Sequence, residues 1–134
     1  MIRKGNYAKY KGLEYHLTRE MESNRIKIYT KNKEKTDATF VQCNLPGEQE
    51  RYRKYVQLWE LEDTYSVYTF VVEGENKKMI IEKESEDMYY VFAEAEDQDL
   101  IEKYHLTEVD RGIFGGWISK IGVQLVEKQK HVSY

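Results

Sequence analysis

Apolar and polar residues alternate with a period of two along most of this chain, the pattern of strands that keep one face dry. Residues 7–17 (YAKYKGLEYHL) and 25–30 (RIKIYT) read as strands on either side of the polar segment TREMESN, whose Ser23-Asn24 suits a turn. A third strand is expected at 39–43 (TFVQC), before Pro46-Gly47 stops it. The second half opens on TYSVYTFVVEG at 64–74. It turns through Gly74-Glu75-Asn76 into KKMIIEK, then through Ser85-Glu86-Asp87 into MYYVFAEA, and three sequential strands of this kind describe a meander. Residues 51–62 (RYRKYVQLWELE) fit both a helical and a strand period, and strand is preferred.

One helix is predicted near 97–105. Asp97 or Asp99 can cap it, Glu102 stands three after Asp99 as in a capping box, and Leu100, Ile101 and Tyr104 form an apolar stripe. His105 falls at its C-terminal end, where a structural role at the helix dipole is the simpler reading. TEVD follows, then a glycine-rich corner RGIFGG and a last strand WISKIGVQLVE.

An internal repeat is suggested by YAKY (7–10) and YSVY (65–68), which each open a hairpin, and by VQLWE (56–60) and VQLVE (123–127), which each close a half in the same order. The expected organisation is therefore two β halves, 1–63 and 64–134, with the helix inserted in the second. The fold class is mainly β: an antiparallel meander or two tandem small barrels. Each half, opening on YxxY and closing on VQL-x-E, resembles an SH3-like barrel. The chain is also similar in size and character to small cytosolic immunity-type proteins of Gram-positive bacteria. That resemblance implies a protein that acts by binding, and it carries no site residue over.

Length and composition support one ordinary domain or two very small ones, since 134 residues leave little to bury in each half. Tyrosine dominates the aromatic residues, and its ring with a polar tip suits half-buried strands and binding faces. The Lys/Glu/Tyr/Ile-heavy usage is like that of AT-rich bacterial genomes. A lone cysteine, Cys43, fits a reducing compartment and reads as a small buried residue. No apolar h-region follows the basic start MIRKGNYAKYKG and no run is long enough for a membrane span, so a cytoplasmic protein away from membranes is expected. Trp59 and Trp117 read as core anchors.

The charge is unevenly spread. Residues 1–35 hold ten bases and four acids, whereas 82–99 hold eight acids and one base. Chemistry that leaves motifs is not found: the three histidines are isolated, there is no HExxH, CxxC, Walker loop, GxSxG or EF-hand spacing, and no cofactor or metal is expected. Glu94 and Glu96 share a strand face, but they run into an acid-capped helix start, which gives carboxylates a simpler job than catalysis.

Binding is the functional reading that remains. In ESEDMYYVFAEAEDQD (84–99), consecutive large residues must alternate between faces, so some aromatic area meets something outside one thin core. Tyr89, Tyr90, Glu94, Glu96, Asp97 and Asp99 form the candidate patch for a basic protein partner, with rings as anchors and acids speeding encounter. The alternative is a small RNA- or ssDNA-binding module in the basic half. There Lys4, Lys9, Lys11, Arg25, Lys27 and Lys31 interleave with Tyr7, Tyr10, Tyr15 and Tyr29. The chain itself would be a monomer or a small homo-oligomer; an enzyme ranks third.

Overall fold

The structure is a computed structural model that describes residues 2–75 and 77–134; Asn76 of the expected 74–76 turn lies outside them. The fold is mainly antiparallel β with one short helix, as the alternation predicts. The chain forms two compact units. The first comprises residues 5–67 with 129–134, and the second residues 2–4 with 68–128.

In the first unit, β1 (Gly5–Tyr10) and β2 (Leu13–Arg19) form a hairpin, so the stretch 7–17 expected as one strand is two. Lys11 and Gly12 make the turn with φ of 49° and 79°, the left-handed pair that a tight primed turn requires. β2 returns through residues 20–25 to β3 (Ile26–Thr30), with Glu20 N donating to Arg25 O at 2.8 Å and Asn24 in left-handed backbone at φ 59°. The expected strand at 39–43 contracts to β4 (Val41–Gln42), paired with β5 (Tyr52–Val56). The strand preference for 51–62 holds as far as Val56. Beyond it Leu58–Glu60 is a 3-10 turn, stapled by Gln57 N donating to Glu60 Oε2 at 2.6 Å. Strand order is β4-β5-β3-β2-β1, then the first half of β6 (Asp63–Val72). Ala8, Tyr10, Tyr15, Leu17, Ile26, Ile28 and Val56 form the core. Two of its tyrosines end on polar partners: Tyr15 donates to Lys35 O at 2.6 Å, and Tyr10 Oη accepts from Lys54 Nζ at 2.5 Å.

In the second unit, the rest of β6 is followed by β7 (Lys78–Glu84), β8 (Met88–Glu94), α1 (Gln98–Tyr104), β9 (Thr107–Asp110), β10 (Ile113–Ser119) and β11 (Gln124–His131). The order is β6-β7-β8-β10-β9, and β11, which continues into the first unit at Gln129, pairs with β6. Val71, Met79, Ile81, Tyr89, Val91, Leu100, Ile101, Leu106 and Ile118 are among its core residues. Burial of a side chain such as Leu100 is worth about 2 kcal/mol, which holds a helix too short to persist alone.

Local details of this unit depart from expectation. Asp97 is the N-cap residue of α1 without a side-chain cap bond, and no Asp99–Glu102 capping box forms, because Asp99 already lies inside the first helical turn, where it accepts from Lys77 Nζ at 2.5 Å. His105 closes the helix in left-handed backbone at φ 54°. RGIFGG is not a corner: only Arg111-Gly112 turns, and Ile113–Ser119 is strand. Gly115 and Gly116 are there for close approach, since a Cβ at either would come within 3.0 Å of Phe92 or Leu106 side-chain atoms. The last strand is likewise broken, at Lys120–Val123, with Gly122 at φ 76°. The two VQL-x-E segments are not structural counterparts, one being a 3-10 turn and the other strand.

Candidate functional site

Alternation along β2, β3 and β5 puts His16 and Thr18, Lys27 and Tyr29, and Arg53 and Tyr55 on the face opposite the first unit's core. Register then sets Tyr65, Tyr7, His16, Tyr29 and Arg53 side by side across five strands. Their rings touch in sequence: Tyr65 to Tyr7 at 6.1 Å, Tyr7 to His16 at 4.6 Å, and His16 stacked on Tyr29 at 5.0 Å and 14°. Tyr7 and Tyr65 are buried; His16 and Tyr29 are half-exposed.

Arginines continue the row where the rings end. Arg51 lies 5.7 Å from the Tyr29 ring centre, Arg53 4.8 Å and Arg25 3.9 Å from that of Tyr55. Thr18, Lys27, Tyr29, Cys43, Arg51 and Arg53 line a recess of about 440 Å³. A neighbouring recess of about 340 Å³ shares Cys43 and Arg51 and adds Lys31. Among the described residues neither Arg51 nor Arg53 has a carboxylate within ion-pair distance. Two guanidinium groups are therefore held over rings with their charge unspent. Carboxylates bordering this face include Glu48, which lines the second recess and accepts from Leu45 N at 2.7 Å, and Glu20, which accepts from Tyr55 Oη and stands 3.7 Å from Arg25 and 3.9 Å from Lys27. The Tyr55 hydrogen bond, with Ser23 and the two cations, holds the Glu20 carboxyl below its ordinary range and pushes the Tyr55 phenol up.

Of the basic-half residues singled out by sequence, this face gathers Tyr7, Lys27 and Tyr29, with Arg25 and Lys31 at its margin. Tyr10 and Tyr15 point into the core, Lys11 lies 3.9 Å from Asp37, and Lys4 belongs to the second unit, where it pairs with Glu82 at 2.8 Å. Arg51, Arg53, Tyr55 and His16 were missed. For Arg51, Arg53 and Tyr55 the signal is the i, i+2 spacing in RYRKY, readable only once that segment is known to be strand; for His16 it is the step of two from Glu14 to Thr18, opposite Tyr15 and Leu17. Cys43 is exposed, not buried, because it follows the short edge strand β4. Trp59 is 82% and Trp117 45% exposed, so neither is the core anchor its composition suggested.

The fold divides the acidic patch, keeping three of its acids together and parting them from its tyrosines. Tyr89 is 7% exposed in the second unit's core, with Lys120 Nζ 5.1 Å from its ring centre. Tyr90 points the other way and packs edge-on against Trp117 at 5.2 Å and Phe92 at 5.6 Å. Glu94 ends β8 in the open, while Glu96, Asp97 and Asp99 gather with Lys77 around the start of α1. Lys77 holds the Asp99 carboxyl below its ordinary value. Among the described residues no group of three or more His, Cys, Asp or Glu is placed to hold a metal ion, and no helix is long and apolar enough to cross a membrane.

The chain belongs to a family described as "Uncharacterised conserved protein UCP033725", whose match spans residues 2–134. No curated protein and no solved structure matches it.

Proposed function

We propose that this protein acts by binding and not by catalysis, and that its ligand is single-stranded RNA or DNA laid along the Tyr29–Tyr55 face. The observation that carries this is the pairing of Arg51 and Arg53 with rings in place of carboxylates. Guanidinium groups kept free of acids are available to phosphates, and their planes, layered on the half-exposed Tyr29 and Tyr55 rings, give splayed bases a flat surface to stack on. The first unit carries twelve Lys and Arg against ten Asp and Glu, so the acidic average of the chain is a property of the other unit. Filter retention of a labelled oligouridine at low salt tests the reading. Retention that falls on replacing Arg51 and Arg53 by Gln supports it, and no retention of single strands at any salt removes it.

A second reading, an immunity-type inhibitor acting in the cytoplasm on a basic protein, is favoured by the Trp117–Tyr90–Phe92 cluster, a half-exposed aromatic face with Glu94 at its end. Rings of this kind are interface anchors. A partner whose affinity ignores both Trp117→Ala and charge reversal at Glu94, Glu96, Asp97 and Asp99 would exclude this surface.

A further inference from the structure

Beyond the Tyr29–Tyr55 face, the 3-10 turn after β5 raises Trp59 into solvent at 82% exposure. The ring presents its face to solvent from a backbone that is pinned beneath it. The Gln57–Glu60 capping box fixes the turn, and Glu60 N donates back to Gln57 O at 3.0 Å. Trp59 lines a separate recess of about 420 Å³ together with Arg19, Asn24, Arg25, Tyr55 and Gln57. That volume lies within the range of small-molecule sites.

Two of its polar groups are guanidinium cations. Arg25 is planted on the Tyr55 ring; its Nε donates to Ser23 Oγ at 3.4 Å and its Nη2 stands 3.7 Å from Glu20, too far for a hydrogen bond, so its terminal N–H groups keep donors for a closer acceptor while Glu20 screens part of the charge. Arg19 is oriented from two sides, donating to Asn24 Oδ1 at 2.8 Å and lying 5.7 Å from the Tyr134 ring centre. Glu60, the carboxylate that lines this recess, is turned onto the backbone N–H of Gln57. The recess thus pairs a projecting indole with two positioned guanidinium groups, a combination that suits a flat heteroaromatic ring carrying a phosphate.

We infer that this recess binds one phosphorylated nucleoside, its base stacked on Trp59 and its phosphate held by Arg19 and Arg25. Tyr55 belongs to both surfaces, so the inference deepens the proposed function by giving the bound strand a terminal subsite; it rests on that reading only for the claim that the nucleotide comes from a strand. A free mononucleotide and a phosphorylated strand end share this chemistry, and the experiment separates them.

With Trp117→Phe, Trp59 is the sole tryptophan and its emission reports the site. Titration with adenosine 5′-monophosphate is expected to quench it saturably, with adenosine and inorganic phosphate each binding at least roughly tenfold more weakly. Arg19→Gln with Arg25→Gln should weaken the nucleotide by a similar factor while leaving the circular dichroism spectrum unchanged. Equal quenching by nucleotide and nucleoside, or none by the nucleotide, overturns the inference. The strand arm uses oligouridine with a 5′-phosphate, a 3′-phosphate or neither. Weakening by Trp59→Ala for a phosphorylated end alone assigns the strand as source, whereas indifference to both phosphates assigns the free nucleotide. An oligonucleotide held through Arg51 and Arg53 but blind to Trp59 leaves the proposed function standing and sinks the subsite. A mononucleotide that binds when no strand does has the reverse effect.

Discussion

Salt dependence gives the sharpest test of the Tyr29–Tyr55 face, because its size follows from a count of cations. Lys27, Lys31, Arg51 and Arg53 line the two adjoining recesses there. Each phosphate neutralised on a single strand contributes about 0.7 to the slope of log affinity against log salt, so four contacts give a slope of about −2.8. Between roughly 50 and 200 mM salt the affinity should then fall about 50-fold. Arg51→Gln with Arg53→Gln leaves two cations, a slope of about −1.4 and a loss of only about sevenfold over the same range. Neither arginine has an acid partner, so the double variant should lose only the two cation–π contacts with Tyr29 and Tyr55, about 0.5–1 kcal/mol each, and stay folded across the salt series. Fluorescence anisotropy of a labelled oligouridine across a salt series reads the slope. A slope unchanged by the double substitution, or binding that ignores salt, would refute the placement of the strand on this face.

Gly115→Ala should destabilise by about 1–3 kcal/mol, since its Cβ would stand 3.0 Å from Phe92 Cδ1 and Tyr90 Oη; an unaltered melting temperature would mean that the aromatic cluster yields without cost. Tyr89→Ala should cost about 3–5 kcal/mol and Tyr90→Ala less than half of that, as urea unfolding would show, because only the former empties a core position. Glu73 accepts from Lys103 and Tyr104, and these bonds hold its carboxyl below the ordinary value of 4.5. The stabilisation is complete above that pH and fades as pH falls through the lowered folded value, so the stability gap between parent and Glu73→Gln should be level near neutrality and close in acid. A gap that widens on acidification contradicts this assignment.

The binding face shows how unevenly a site is written along a chain. Tyr29 and Lys27 were visible as aromatic and basic residues interleaved in RIKIYT, but their neighbours Arg53 and Tyr55 sit more than twenty residues away, and the β3–β5 pairing that joins them is not between consecutive strands. The hairpin at Lys11-Gly12 was hidden for a different reason. Its trace is a slip of phase: the core positions are even at Ala8 and Tyr10 and odd at Tyr15 and Leu17, a shift of one that is easily passed over inside a continuous apolar–polar stretch.

Period-two patterning by itself determined that the chain would be mainly antiparallel β, and the apolar stripe at Leu100, Ile101 and Tyr104 determined where one helix would form, because both record which side chains must leave water. Tertiary structure alone decided what identical local signals became. Gln57-Leu-Trp-Glu60 and Gln124-Leu-Val-Glu127 offer the same reciprocal cap, yet the first closes a turn while the second lies extended in β11, with Glu127 accepting from Arg3 at 2.8 Å. A short-range hydrogen bond is worth about 1 kcal/mol, and pairing with a distant strand outweighs it. Likewise, only the packed chain settles that Trp59 stands in water and Tyr89 does not.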